Sequence, residues 1–126
     1  MGLIVVLRPK ERVRQDSEPI ALMYRNMGTS AAEQVVSRAF SELAITMAGL
    51  VAQVRAGDWT DLAKRMRRLQ RMAEQLGLVS LGQVAADIRL CLDTGDRAAF
   101  AAVWARLVRV AESSLAADKA LLDQAT

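Results

Sequence analysis

Apolar and polar residues alternate with a helical period from Ser30 to the end of the chain. In four segments the apolar residues recur every three or four positions, which places them on one side of an α-helix. In chain order these positions are Val36, Phe40, Leu43, Met47, Leu50 and Val54; Trp59, Leu62, Met66, Leu69, Ala73 and Leu76; Leu81, Val84, Ala85, Ile88 and Leu92; and Phe100, Val103, Trp104, Leu107, Val110, Ala111 and Leu115. Short breaks between the segments favour antiparallel neighbours. The pattern predicts an all-α, up-and-down antiparallel four-helix bundle over residues 29–126.

Polar residues and glycines at the breaks predict where these helices begin and end. The predicted starts are two capping boxes, Ser30 with Glu33 and Ser80 with Gln83, and two single N-caps, Asp58 and Asp96. The predicted stops are Gly57, Gly77 and the turn at 94–96. The fourth helix is expected to run from about Arg97 to Leu122.

Residues 1–28 have a different character and are predicted to form an N-terminal extension. Gly2–Leu7 is rich in Ile and Val, which favours an extended segment. A charged stretch follows, and Pro19 is then suited to the first turn of a short helix over 20–26. Gly28 is the predicted end of that helix.

Composition argues against an enzyme. The chain has no histidine, so it lacks the commonest general base and metal ligand. Its carboxylates, such as Asp87, Asp93 and Asp96, are interpreted as caps and surface charge. No glycine-rich phosphate loop or cluster of metal ligands appears. We therefore predict no catalytic residue, no cofactor and no metal.

The cysteine and the tryptophans are predicted to have structural roles. Cys91 is the only cysteine, which excludes a disulfide within the chain and suits a reducing cytoplasm. We interpret it as a buried apolar residue. Trp59 and Trp104 fall at inner positions and are expected in the core. No uninterrupted apolar run reaches the roughly 18 residues of a membrane span, so a cytoplasmic protein without membrane contact is expected.

The second predicted helix has a basic outer side. At about 100° per residue its apolar stripe points inward and a cluster of cations points outward. These cations are Lys64, Arg67, Arg68 and Arg71, with Arg65 at the flank. Like charges four residues apart destabilise a helix slightly, and an acidic partner would relieve this repulsion. A solvated helix face without a partner is the alternative interpretation.

The segment RRLQRMAEQLG, residues 67–77, resembles the signature H-x-L-K-G-x-A-x-x-L-G of histidine-containing phosphotransfer (HPt) domains. Leu69, Ala73, Leu76 and Gly77 match the structural positions of that signature. The preceding AGDWTDLAKR and the following LGQVAADIRLCLDTGD are similar to the lead-in and the next helix of the family. The resemblance covers roughly residues 30–115 and implies the same helical bundle.

The sequence departs from the family at the positions that carry the chemistry. Arg67 stands where the family has its phosphorylatable histidine, Gln70 where it has a lysine, and Arg71 where it has a small glycine. A guanidinium stays protonated and has no lone pair with which to accept a phosphoryl group. The resemblance therefore implies a degenerate member that has lost phosphotransfer and keeps a binding surface.

The partners of HPt domains imply what that surface binds. We expect a response-regulator receiver domain or a sensor kinase, with Leu69 and an apolar flank adding contact area to the cations. The predicted partner-binding residues are Lys64, Arg67, Arg68, Gln70, Arg71 and Gln75. Nucleic acid or another polyanion is an alternative partner, although the small net charge of +3 and five aromatic residues argue against it. A homodimer in which Gly2–Leu7 adds contacts is a further alternative.

Overall fold

The computed structural model describes the backbone of residues 13–125 and the side chains of residues 13–116. All regular structure in this part of the chain is helical. The five helices are α1 (Glu18–Met27), α2 (Thr29–Arg55), α3 (Leu62–Gln75), α4 (Val79–Thr94) and α5 (Arg97–Ala125). The all-α prediction is confirmed, but the four-helix bundle is not, because the described residues form five helices. The extended segment predicted for Gly2–Leu7 lies outside the described residues.

The short helix expected near the N-terminus is present as α1. Pro19 lies in its first turn, where the missing N–H is of no consequence. Gly28 has φ 82°, a conformation that glycine adopts without a steric penalty, and it ends α1 and immediately precedes α2. Side chains of Ile20, Met23 and Tyr24 pack against the buried core, so α1 contributes to the apolar packing of the other helices.

The predicted capping boxes are wrong at both helix starts. Because Gly28 ends one helix and begins the next, Ser30 already lies inside the first turn of α2, which has no side-chain cap. Ser80 likewise lies inside α4, which begins at Val79. Its hydroxyl instead accepts a hydrogen bond of 2.7 Å from the backbone N–H of Arg14. The capping signal failed here because another segment of the chain competes for the serine.

The two aspartates predicted as N-caps have different outcomes. Asp96 accepts a hydrogen bond of 3.0 Å from the N–H of Ala99 at the start of α5, which confirms the prediction. Asp58 does not cap α3, because that helix begins four residues later at Leu62. Its carboxylate accepts the N–H of Thr60 at 3.0 Å and closes a local turn between α2 and α3.

One continuous core joins α2, α3, α4 and α5. α3 packs against α2 and α4, and α5 packs against α4 and α2. Nearly all of the predicted inner positions are buried or half-buried. Trp59 is the clear error, because 53% of it is exposed. It lies in the turn before α3, so the helical period that predicted its burial does not apply to it. Cys91 is half-buried rather than fully enclosed.

An N-terminal segment ahead of α1 crosses the turn between α3 and α4. The N–H of Asp16 donates to the carbonyl of Gly77 at 2.7 Å, and the N–H of Ser80 donates to the carbonyl of Arg14 at 3.3 Å. The Arg14 guanidinium also donates to Gln83 at 3.1 Å. Gly77 has φ 72°, and a Cβ atom at this position would overlap the carbonyl oxygen of Asp16. Glycine is therefore required here for both backbone conformation and close approach.

Helix α2 is apolar and long enough to cross a membrane by length and composition alone. No uninterrupted apolar run in the sequence predicts such a segment. Polar residues interrupt α2, but its average hydropathy over 18 residues is still high enough for a span. In the folded chain Phe40, Leu43, Met47 and Leu50 of this helix are buried in the protein core. Core helices of soluble proteins can have the same length and hydropathy, so α2 is weak evidence for membrane contact. The cytoplasmic location stays a prediction.

Candidate functional site

Helix α3 separates its apolar and basic residues onto opposite sides. Leu62, Met66, Leu69 and Ala73 are buried, which confirms the inward stripe. On the other side the side chains of Lys64, Arg67, Arg68 and Arg71 are exposed, as the helical period predicts. We call these four residues the basic face of α3.

The cations of the basic face have no partner in the described part of the chain. None of the four side chains makes a hydrogen bond or an ion pair with residues 13–116. Together with Arg65 they surround a shallow depression of about 450 Å³, in which Asp61 is the one lining carboxylate. Several guanidinium groups around one carboxylate produce a positive local potential, which favours an anionic ligand.

Arg65 differs from its neighbours because it is tied to α2. Its guanidinium donates to the side-chain oxygen of Gln53 at 2.6 Å, and the amide of Gln53 donates to the carbonyl of Thr60 at 2.8 Å. Gln53 is buried, so these bonds satisfy a polar group that would otherwise be desolvated without partners. They fix the start of α3 against α2, and they thereby position the basic face.

Comparisons of the chain with protein-family models, curated proteins and solved structures find no match. Function is therefore inferred from the residues and geometry of this chain. The resemblance to HPt domains stays a prediction, and so do the receiver domain and the sensor kinase as partners.

Two of the predicted partner-binding residues, Gln70 and Gln75, have different surroundings. Gln75 is exposed near the end of α3. Gln70 is half-buried and points toward α4, where its oxygen accepts a hydrogen bond of 3.0 Å from Arg89. Its amide donates to Glu74 at 3.0 Å. The structure therefore places Gln70 in a polar contact between α3 and α4, beside the basic face rather than within it.

An apolar contact near the basic face comes from α2, and the sequence reasoning missed it. Leu69 was expected to contribute contact area, but its side chain is completely buried in the core. Ile45 of α2 is 72% exposed, and it borders a groove of about 230 Å³ whose other wall contains Arg65 and Arg68. The sequence signal for Ile45 was its position off the inner stripe of α2, combined with its apolar side chain.

The chemistry available at this surface is recognition of anions. Guanidinium groups bind carboxylates and phosphates through paired hydrogen bonds but do not act as nucleophiles or as bases near neutral pH. Among the described residues, no group of three or more Cys, Asp or Glu side chains is arranged to hold a metal ion. The basic face is thus suited to docking a charged partner.

Proposed function

We propose that this protein is a non-catalytic binding module that docks an acidic protein surface through the basic face of α3. The observation that carries the proposal is the set of exposed cations, Lys64, Arg67, Arg68 and Arg71, which lack partners in the described chain. Clustering of like charges on one helix destabilises that helix slightly. A partner with carboxylates or a phosphoryl group removes this repulsion and forms charge-assisted hydrogen bonds.

The partner class that we favour is a receiver domain of a two-component system, with a sensor kinase as the alternative signalling partner. This choice rests on the resemblance of residues 67–77 to the HPt signature and on the exposed mid-helix position of Arg67. Receiver domains carry acidic side chains around the site that HPt domains approach. A guanidinium at position 67 would pair with those carboxylates, or with a phosphorylated aspartate, while transferring nothing.

The packing of α3 supports a docking role in a second way. A rigid surface binds with a smaller entropic penalty than a mobile one. The apolar side of α3 is fully buried, and Arg65 and Gln70 tie its two flanks to α2 and α4. The four-helix bundle that the HPt resemblance implies would hold the basic face in the same way.

Binding to purified receiver domains from the same genome tests the proposal directly. We expect at least one receiver to bind the full chain, and Arg67→Glu to weaken that binding by about tenfold or more, because it places a carboxylate against an acidic surface. Arg38→Glu is the matched control, since Arg38 is exposed on α2 outside the basic face. Its effect should be small. Equal losses in both variants, or no binding to any receiver with or without a phosphate mimic, would contradict the proposal.

A polyanion is the competing partner for the same cations. Binding to DNA or RNA would weaken steeply as salt rises, because each phosphate contact releases counterions. A gel shift with mixed-sequence DNA and RNA at low salt separates the two partners. A shift that Arg67→Glu abolishes would favour the polyanion, whereas no shift would leave the acidic protein surface.

A further inference from the structure

We infer that a cleft between the α2–α3 turn and the α4–α5 turn is a binding site for a small, flat aromatic anion. The cleft has a volume of about 450 Å³, within the range of sites that hold small organic ligands. Trp59, Leu92 and Phe100 provide its apolar lining, and Cys91 lies in its wall. This site is separate from the basic face and does not depend on the function proposed for it.

Phe100 contacts both Trp104 and Trp59, and part of the Trp59 surface remains exposed to a ligand. Phe100 is buried, and its ring lies nearly parallel to that of Trp104, with centroids 5.9 Å apart and an interplanar angle of 11°. Trp59 contacts Phe100 edge to face, at 5.0 Å and 68°. About half of the Trp59 surface stays exposed. An aromatic ligand would cover this surface and gain the stacking geometry that ring pairs favour.

The turn that carries Trp59 is held in place by its own hydrogen bonds. Asp58 accepts the N–H of Thr60, and the buried amide of Gln53 donates to the Thr60 carbonyl. Asp61 has φ 55°, a left-handed conformation that aspartate adopts more readily than most residues other than glycine. The chain thus fixes a partly exposed tryptophan in one position beside the cleft. Such preorganisation lowers the entropic penalty of binding.

Charge at the rim selects the kind of aromatic ligand. Arg97 lines the cleft and is exposed, and its side chain makes no hydrogen bond or ion pair with the part of the chain that the structure describes. The nearby carboxylate of Asp96 already accepts the N–H of Ala99. Arg97 is the one cation among the residues that line the cleft, and it is the group that can pair with a negative ligand. An aromatic carboxylate or sulfonate would place its ring on Trp59 and its negative group near Arg97.

Fluorescence titration of the full-length protein with anilinonaphthalene sulfonate, an anion with a flat naphthalene ring, tests the site. We expect saturable binding at one site per chain, with energy transfer from tryptophan to the probe. Trp59→Ala should weaken binding by about tenfold or more. Leu90→Ala is the matched control, because Leu90 is exposed on α4 but does not line the cleft. It should bind the probe as the unchanged protein does.

The role of Arg97 is tested with a neutral probe of similar shape. Arg97→Gln should weaken binding of anilinonaphthalene sulfonate several-fold and leave binding of the uncharged N-phenylnaphthylamine unchanged. Equal effects on both probes would overturn the assignment of the anion to Arg97. Far-ultraviolet circular dichroism establishes that each variant keeps its helical content.

The single cysteine gives a readout that requires no substitution. Because Cys91 lies in the wall of the cleft, saturating probe should slow its alkylation by iodoacetamide severalfold. The proposal is overturned if binding does not saturate, if Leu90→Ala weakens binding as much as Trp59→Ala does, or if the bound probe leaves the alkylation rate of Cys91 unchanged.

Discussion

At the scale of single residues, Asp58 stabilises the turn between α2 and α3 through its charge. Its carboxylate accepts the backbone N–H of Thr60, and this bond, more than the hydroxyl of Thr60 or the nearby charge of Arg65, lowers the pKa of Asp58 below its ordinary value of 3.8. The ionised form is favoured because the N–H points at the negative oxygen. The exposed side chain therefore contributes to the local structure at neutral pH.

This lowered pKa predicts how stability depends on pH. A carboxylate with a lower pKa in the folded state stabilises the fold above pH 3.8, and the contribution disappears as the pH falls below 3.8 through the folded-state pKa. Asp58→Asn should lower stability near neutral pH, and the difference from the unchanged protein should shrink as the solution becomes acidic. Urea unfolding at a series of pH values measures this difference.

Thr60→Ala is the control for the Asp58 experiment. It removes the hydroxyl but keeps the backbone N–H, so most of the pH dependence should remain. If Thr60→Ala abolishes that dependence as fully as Asp58→Asn does, the backbone hydrogen bond is not its main cause.

At the scale of the element, α3 combines two tasks on opposite sides. Its buried side chains anchor it to the protein core, and its exposed cations remain accessible to solvent. A buried leucine contributes to stability through contacts with many neighbours, whereas an exposed apolar residue on the neighbouring helix α2 contributes little. Leu69 and Ile45 represent these two cases: Leu69 is buried on the inner stripe and adds no contact area to the basic face, whereas Ile45 is exposed beside that face.

Substitution of Leu69 and Ile45 should separate stability from recognition. Leu69→Ala is expected to lower the free energy of unfolding by about 2–5 kcal/mol, because it leaves a cavity in the core. Ile45→Ala should change it by less than about 0.5 kcal/mol, since the side chain is 72% exposed. Urea denaturation followed by circular dichroism measures both. Similar losses in the two variants would contradict the placement of Leu69 in the core and Ile45 at the surface.

At the scale of the whole molecule, the N-terminal segment and the α3–α4 turn depend on each other. The hydrogen bonds of Arg14 and Asp16 satisfy backbone and side-chain groups at Gly77 and Ser80. The close approach is possible only because residue 77 has no side chain. Arg14 and Asp16, which are distant in the sequence, thus determine which side chains can be accommodated at position 77, after the end of α3.

A coupled substitution tests this dependence. Gly77→Ala in the full chain should lower the free energy of unfolding by about 1–3 kcal/mol, because the new methyl group overlaps the Asp16 carbonyl and the left-handed conformation is strained. In a chain that begins at Ser17 the loss should be smaller, since the overlap is gone. Gly57→Ala is the control: φ there is 67° but no atom lies within 4 Å of a Cβ, so its loss should be the same in both chains. Equal losses for Gly77→Ala in both chains would contradict the coupling.

Most of the secondary structure could be predicted from the sequence because the buried side of a helix requires apolar residues every three or four positions. The inner stripes of α2 to α5, the stop at Gly57, and the exposure of Arg67 all follow from residue spacing. The short helix behind Pro19 also followed from local rules. Residues of the basic face could be selected in the same way, because charge and helical phase are both visible in the sequence.

Two of the errors originate in contacts between segments far apart in the chain, and a third originates in the geometry of a turn. Ser80 has the residue type of a cap but binds Arg14, and Gln70 has the phase of a surface residue but bonds to Arg89 of α4. Trp59 continues the apolar stripe, yet it lies in a turn whose conformation depends on Asp58 and Gln53. The partners of Ser80 and Gln70 lie far outside one helical turn, so no local pattern reports them, whereas residues near Trp59 in the chain hold its turn.

The sequence by itself determined the helical class, the buried side of each long helix and the position of the cations on α3. Each of these depends on short-range periodicity and on the cost of burying charge. The tertiary structure alone decided that Ile45 rather than Leu69 borders the basic face. It also decided that Trp59 lines an aromatic cleft and that the N-terminal segment closes over Gly77. These features depend on which helices pack together and how their turns are held, because such contacts join residues that the chain keeps far apart.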